Sequence, residues 1–169
     1  MPARSGRAPG ERSGKRKDVH ERALGLLAAR QRSRGELERR LVQAGFDTDE
    51  VHVELDRLES VGLIDDEAFA RAVVESRMGS RGESQRVVAM HLTRAGVSAD
   101  IANTAVDQAP EDDETRAARL AETKARRLAG LEPRVAFQRL YGFLARRGYS
   151  PDVARAAARR ALAVDVDPD

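Results

Sequence analysis

LESVGLIDDEAFARAVVESR, residues 58–77, is the stretch on which the fold turns. Val51, Leu55 and Leu58 lead into it at steps of four and three, which is one face of a helix. Gly62 can take the left-handed conformation that closes that helix. Asp65 suits the N-cap of a following helix, and Asp66 and Glu67 suit its positive end. Phe69 and Val73 continue an apolar stripe at i, i+4. Two helices joined by a short hinge, Gly62-Leu63-Ile64-Asp65-Asp66, are therefore expected, with Leu63 and Ile64 buried between the bundles on either side. The hinge is read as structural: it sets the angle between neighbouring units.

Parts of this arrangement recur. Val88-x-x-x-Leu92-x-x-Ala95-Gly96-Val97 and Leu140-x-x-x-Leu144-x-x-Arg147-Gly148-Tyr149 repeat the upstream Leu37-x-x-x-Leu41-x-x-Ala44-Gly45-Phe46. The glycines Gly45, Gly96 and Gly148 lie 51 and 52 positions apart and read as helix C-terminal caps. After each comes a polar cap (Asp47 or Thr48, Ser98, Ser150) and then Val51, Ile101 or Val153, with Pro151 at a favoured first helical position. A period near 50 with three helical segments points to tandem three-helix repeats. The fold class expected is all-α: an elongated, curved array of three tandem three-helix repeats at 18–64, 65–110 and 111–164. The first helices of the copies are placed at Asp18–Arg30, Asp66–Met78 and about Asp113–Ala129. In the first, Leu24, Leu27 and Ala28 are expected to face inward; in the second helix, which a Ser33/Glu36 capping box opens, Leu37, Leu41 and Ala44 are.

Composition agrees with a helical protein. Aromatic residues make up 4% and there is no Trp, so the core must be built mostly from Leu, Val and Ala. No apolar run reaches the ~20 residues that span a bilayer, and the chain has no Cys. A cytoplasmic protein is expected. Charge is polarised beneath a net +2. Residues 1–17 hold six bases and one acid and read as a disordered basic tail. Residues 133–160 hold seven Arg and one acid, and 165–169 form an acidic tail. The middle is acidic, which suits a partner with a mixed surface.

No catalytic constellation is present. His20, His52 and His91 have no metal-ligand spacing. Glu111-Asp112-Asp113-Glu114 lacks the pattern of a calcium loop, and no phosphate-binding or nucleophile-elbow motif occurs. No catalytic, cofactor or metal residues are assigned, and the protein is read as acting by binding. Ser33–Ile64 also has the look of a helix-turn-helix leading into a winged-helix wing. Against this, its would-be recognition helix turns Asp49, Glu50, Glu54, Asp56 and Glu59 outward, which phosphates repel, and the following segment reads as helix. A helical-repeat adaptor without nucleic-acid contact is the other alternative. The third copy is the better anion-facing candidate: Arg139, Arg146 and Arg147 on its second helix, Arg155 and Arg159 on its third, with Phe137, Tyr141 and Tyr149 nearby.

The GLIDDEAFARAVVESR block, followed by Arg81-Gly82, Arg86, Leu92 and Ala95-Gly96-Val97, resembles the RecX regulatory proteins of bacteria. SRGELERRLVQAGF upstream and LARRGYSPDVARAA downstream fit the same family, over about residues 20–163. The bulkier aromatics often seen in that family's first helices are missing here. The resemblance implies a negative modulator of the RecA recombinase. Such a protein lies in the groove of the RecA filament on single-stranded DNA and restrains ATP hydrolysis, strand exchange and SOS co-protease activity. The expected partners are the RecA filament and, through residues 1–17 and the third repeat, single-stranded DNA; the protein is expected to be a monomer. Arg81, Arg86, Arg94, Arg139, Arg146, Arg147, Arg155 and Arg159 are the candidate contacts.

Overall fold

The computed structural model describes residues 18–163. The basic tail 1–17 and the acidic tail 165–169 lie outside the described residues. Within them every regular element is helical. The first repeat holds α1 (Val19–Ala29), α2 (Arg34–Gln43) and α3 (Thr48–Ser60). The second holds α4 (Asp66–Val74), continued by a π-helical segment over Glu75–Ser80, then α5 (Gln85–Ala95) and α6 (Ala99–Asp107). The third holds α7 (Asp113–Ala125) with a closing 3₁₀ turn, α8 (Pro133–Ala145) and α9 (Pro151–Leu162).

Local chemistry explains the starts. Ser33 accepts from the Glu36 amide, Asp65 from Ala68, Ser84 from Val87, Ser98 from Ile101 and Ser150 from Val153. Each satisfies one of the amides a helix start leaves unbonded. Asp47, rather than Thr48, caps α3. The Glu36 carboxylate does not close a reciprocal capping box; it binds Arg30, Arg32 and Arg40.

Each repeat has its own apolar core. Leu37, Leu41, Val51, Leu55, Leu58 and Ile64 fill the first. The third relies on Ala117, Ala121, Ala154, Ala157 and Ala158, whose small side chains let α7 and α9 run close together around Phe137, Leu140 and Leu144. Four inward assignments change. In α1 the buried residue is Ala23, with Val19, Leu26 and Leu27 packed beside it, while Leu24 and Ala28 are exposed. Both stripes contain Leu27, so periodicity leaves the phase open and packing against α2 and α3 chooses it. Ala44 is exposed at the end of α2. Ile64 is buried in the first core, but Leu63 is 52% exposed. The left-handed turn at Gly62 (φ +74°) sends these neighbouring side chains opposite ways.

The repeats meet through a joint used twice. Ser84 Oγ donates to the Gly148 carbonyl at 2.9 Å, and its amide donates to the Arg147 carbonyl at 3.0 Å. The Gln85 amide, next along, donates to Asp113 Oδ1 at 3.0 Å. One repeat earlier, Ser33 Oγ donates to the Ala95 carbonyl and the Arg34 amide to Asp66 Oδ1 at 2.8 Å. The N-terminus of one repeat's second helix is thus plugged by the glycine end of the next repeat's second helix and by an aspartate from its first. The fit is close: a Cβ on Gly96 would stand 2.8 Å from the Gly35 Cα, and one on Gly148 2.2 Å from Val87 Cγ2. At the second joint Tyr149 also donates to the Gly82 carbonyl at 3.0 Å. Buried Arg116 holds Asp113 at 2.9 Å and the Glu111 carbonyl.

Candidate interaction surface

The joints line up a basic strip. At the first, Arg30, just past α1, faces Arg77 of the π-helical segment and Arg81 just past it, across a hollow of about 290 Å³ floored by Phe69 and Val73. At the second, Arg147 Nε donates to the Arg81 carbonyl at 3.1 Å. The Arg147 guanidinium lies 3.9 Å from the centre of the Phe143 ring, and Lys124 Nζ lies 5.4 Å from it. Lys124, Arg139, Arg146 and Phe143 then line a second hollow of about 420 Å³. No carboxylate lines either hollow. Arg30 is balanced by Glu36 and Arg77 by Glu83 at 2.7 Å. Lys124, Arg139 and Arg146 have no carboxylate partner among the described residues. Burial lowers the His91 pKa first, and the positive charges of Arg77, Arg81 and Arg94 lower it further, against the opposing charge of Glu83.

The strip gathers Arg81, Arg139, Arg146 and Arg147 of the expected contacts. Arg86 sits beside it, its guanidinium 3.5 Å from the Gly148 carbonyl. Arg94 lies at the first joint, where its carbonyl accepts from Arg39 at 3.1 Å. Arg155 and Arg159 are on α9, away from both hollows; Arg155 leans on Asp152 at 3.5 Å. Arg147 is braced by an aromatic ring and a backbone carbonyl, so it builds the joint as well as lining the strip. The aromatics expected near the strip are structural. Phe137 is a core residue stacked on Tyr141, and Tyr149 is buried at the joint. Lys124, Phe143, Arg30 and Arg77 were not anticipated. Phe143 had a signal: it stands four residues before Arg147, about one helical turn, and the Arg147 guanidinium lies over its ring.

The hinge aspartates have different tasks. Asp65 caps α4, whereas Asp66 reaches back to Arg34. Burial raises the Asp66 pKa, the Arg34 amide opposes this, and Glu59 and Asp65 add to it. Nor does α3 turn all its acids outward. Glu54 is buried against His20 (2.7 Å) and Arg57, while Asp56 and Glu59 hold Arg34 at 2.6 and 2.9 Å. Burial works to raise the Glu54 carboxyl, but the hydrogen bonds and charges of Arg57 and His20 outweigh it and hold it low. With Glu54, Asp56 and Glu59 so engaged, Asp49 and Glu50 exposed, and helix where a wing would be, α3 is not built as a recognition helix.

Family models fall on the chain in order: RecX first three-helix domain over residues 20–58, second over 65–106 and third over 111–158. The chain belongs to the RecX family. Regulatory protein RecX of Mycobacterium avium is 44% identical over 136 residues, covering 78% of this chain and 77% of the relative. That of Mycobacterium marinum is 42% identical over 147 residues, covering 85% and 84%. The crystal structure of RecX from Lactobacillus salivarius matches with a TM-score of 0.71 at 22% identity, over 86% of this chain and 96% of that one. A second crystal structure of regulatory protein RecX matches at 0.67 and 24%, over 82% and 70%. At those identities the two structures speak for the fold: all-α tandem repeats. RecX membership makes this a regulatory protein, and no described helix is long and apolar enough to cross a membrane.

Proposed function

We propose that this chain is a cytoplasmic, monomeric negative modulator of the RecA recombinase that works by binding, without catalysis or cofactor. It engages the RecA filament on single-stranded DNA and restrains ATP hydrolysis, strand exchange and SOS co-protease activity. RecX membership supports the partner. The observation that carries the reading on this chain's own residues is the basic strip running across both joints, whose two hollows no carboxylate lines. A track of guanidiniums suits a surface made of protein and phosphate. The array bridges neighbouring RecA subunits, with exposed Asp49 and Glu50 toward basic protein and the strip toward phosphate. Bridging opposes the subunit rearrangements that hydrolysis and strand exchange require. Electrostatics then governs association rate and salt sensitivity more than final affinity.

The test is RecA's single-stranded-DNA-dependent ATPase, titrated with this protein and with a Lys124→Glu/Arg139→Glu/Arg146→Glu variant. The wild type inhibits below one molecule per RecA subunit, and the variant inhibits about tenfold less effectively. Arg147 is left intact because it holds the joint. An ATPase unaffected by the wild type sinks the function. Full inhibition by the folded triple variant sinks the assignment of the strip.

A further inference from the structure

The second helix of every repeat ends in the same turn. Phe46 donates to the Leu41 carbonyl at 3.3 Å, Val97 to Leu92 at 3.1 Å and Tyr149 to Leu144 at 3.4 Å. Gly45, Gly96 and Gly148 have φ of +91°, +92° and +88°. Two of these ends are occupied: Ser33 and Ser84, each the first cap of a helix, plug the ends at Gly96 and Gly148. The third is open. No described atom lies within 4 Å of the place a Cβ on Gly45 would take. Beside it is a hollow of about 710 Å³ floored by Val19, Gly45 and Phe46 and rimmed by Asp18, Asp47 and Glu50, with Arg22 its one base.

The complementary half is missing from the far end of the array. Ala136 stands four residues before Leu140, where Ser33 precedes Leu37 and Ser84 precedes Val88. There α8 has already run one turn, and the Ala136 amide donates to the Glu132 carbonyl at 3.0 Å. No hydroxyl and no unbonded amide is offered at that place, so a second copy of this chain does not supply the plug.

We infer that the Gly45 end of the first repeat docks the N-terminus of a partner helix capped by Ser or Thr, presented by the protein of the filament. The internal joints give the geometry: a cap hydroxyl donating to a carbonyl of a left-handed helix end, joined at the second joint by the cap's own amide. The rim gives the charge, because three acids favour the positive end of a helix and basic residues flanking it. This rests on the proposed RecA-filament binding and assigns one of its contacts.

The probe is the RecA filament assembled on single-stranded DNA, titrated with labelled full-length protein by fluorescence anisotropy. Ala44→Trp adds bulk at the open end and Glu50→Lys reverses the rim charge; both positions are exposed. Ala44→Trp is expected to weaken filament binding about tenfold and Glu50→Lys about threefold, with wild-type helix content. If the wild type does not bind filaments, the proposed function fails. If it binds and both variants bind equally well, this inference fails while that function stands. A melting temperature lowered by Ala44→Trp in the full chain, but not in one lacking residues 2–17, would give the hollow to this chain's own N-terminal segment and overturn the inference too.

Discussion

Ser84 and Gly148, 64 positions apart, are joined by a 2.9 Å bond from the serine hydroxyl to the glycine carbonyl, and both are buried. Ser84 is at once the cap of its own helix and the plug of the next repeat. Ser84→Ala removes both roles and leaves a buried carbonyl one donor short, costing about 2 kcal/mol. Ser98→Ala, at an exposed cap, costs about 1 kcal/mol or less. Urea denaturation of the two variants checks the difference.

The capping glycines should differ in tolerance although their backbones match. Gly45→Ala meets open space and carries only the left-handed strain, about 1 kcal/mol. Gly96→Ala drives its methyl onto the backbone of Gly35, which has no rotamer with which to yield. About 1–3 kcal/mol is added by that overpacking. Equal melting temperatures for the two variants would refute the close-packed joint.

Asp66 separates charge from hydrogen bonding. Its folded pKa is raised above the ordinary 3.8, chiefly by burial. Its proton is therefore held more tightly when folded. That contribution to stability is full below the unfolded value and is lost as pH rises through the folded one. Asp66→Asn keeps an acceptor for the Arg34 amide without the charge, and is expected to hold or slightly raise stability at pH 7. Asp66→Ala leaves that amide without its acceptor and costs about 1–2 kcal/mol. Chemical denaturation at pH 4 and pH 7 distinguishes the two.

Glu36 and Glu54 act in the opposite direction. Burial tends to raise the Glu36 carboxyl, but Arg40 and Arg30 hydrogen bonds and the charges of Arg30 and Arg32 hold it below the ordinary 4.5, as Arg57 and His20 do for Glu54. Their contribution is present above the unfolded value and is lost as pH falls through the depressed one. Stability should drop as pH is taken below about 4.5, and the drop should be shallower in a Glu36→Gln/Glu54→Gln protein. A pH series of melting curves reads this directly.

Arg139 lies within α8 and Arg147 in the turn that closes it, and the two differ in role. Arg147→Ala loses the stack on Phe143 and the bond to Arg81, costing about 1–2 kcal/mol of stability. Arg139→Ala, with no such partners, stays within about 0.5 kcal/mol. Thermal unfolding of the two single variants tests the split.

The sequence alone determined the helices and their repetition. Val51, Leu55 and Leu58 share a face because a helix turns about 100° per residue, and Ser33, Asp65, Ser98 and Ser150 cap because a helix start leaves amides unbonded. Those signals act within a few residues, so they are legible in one dimension. They ran out at Ala23 and Leu24, where two stripes shared Leu27, and at Leu63 and Ile64, where one left-handed residue decides which side chain is buried. The joints and the strip belonged to the tertiary structure. Ser33 meets Ala95 across 62 positions, and Lys124 meets Phe143 from a different helix. Nothing periodic links such residues; they meet only once packed repeats bring a helix start against a glycine turn.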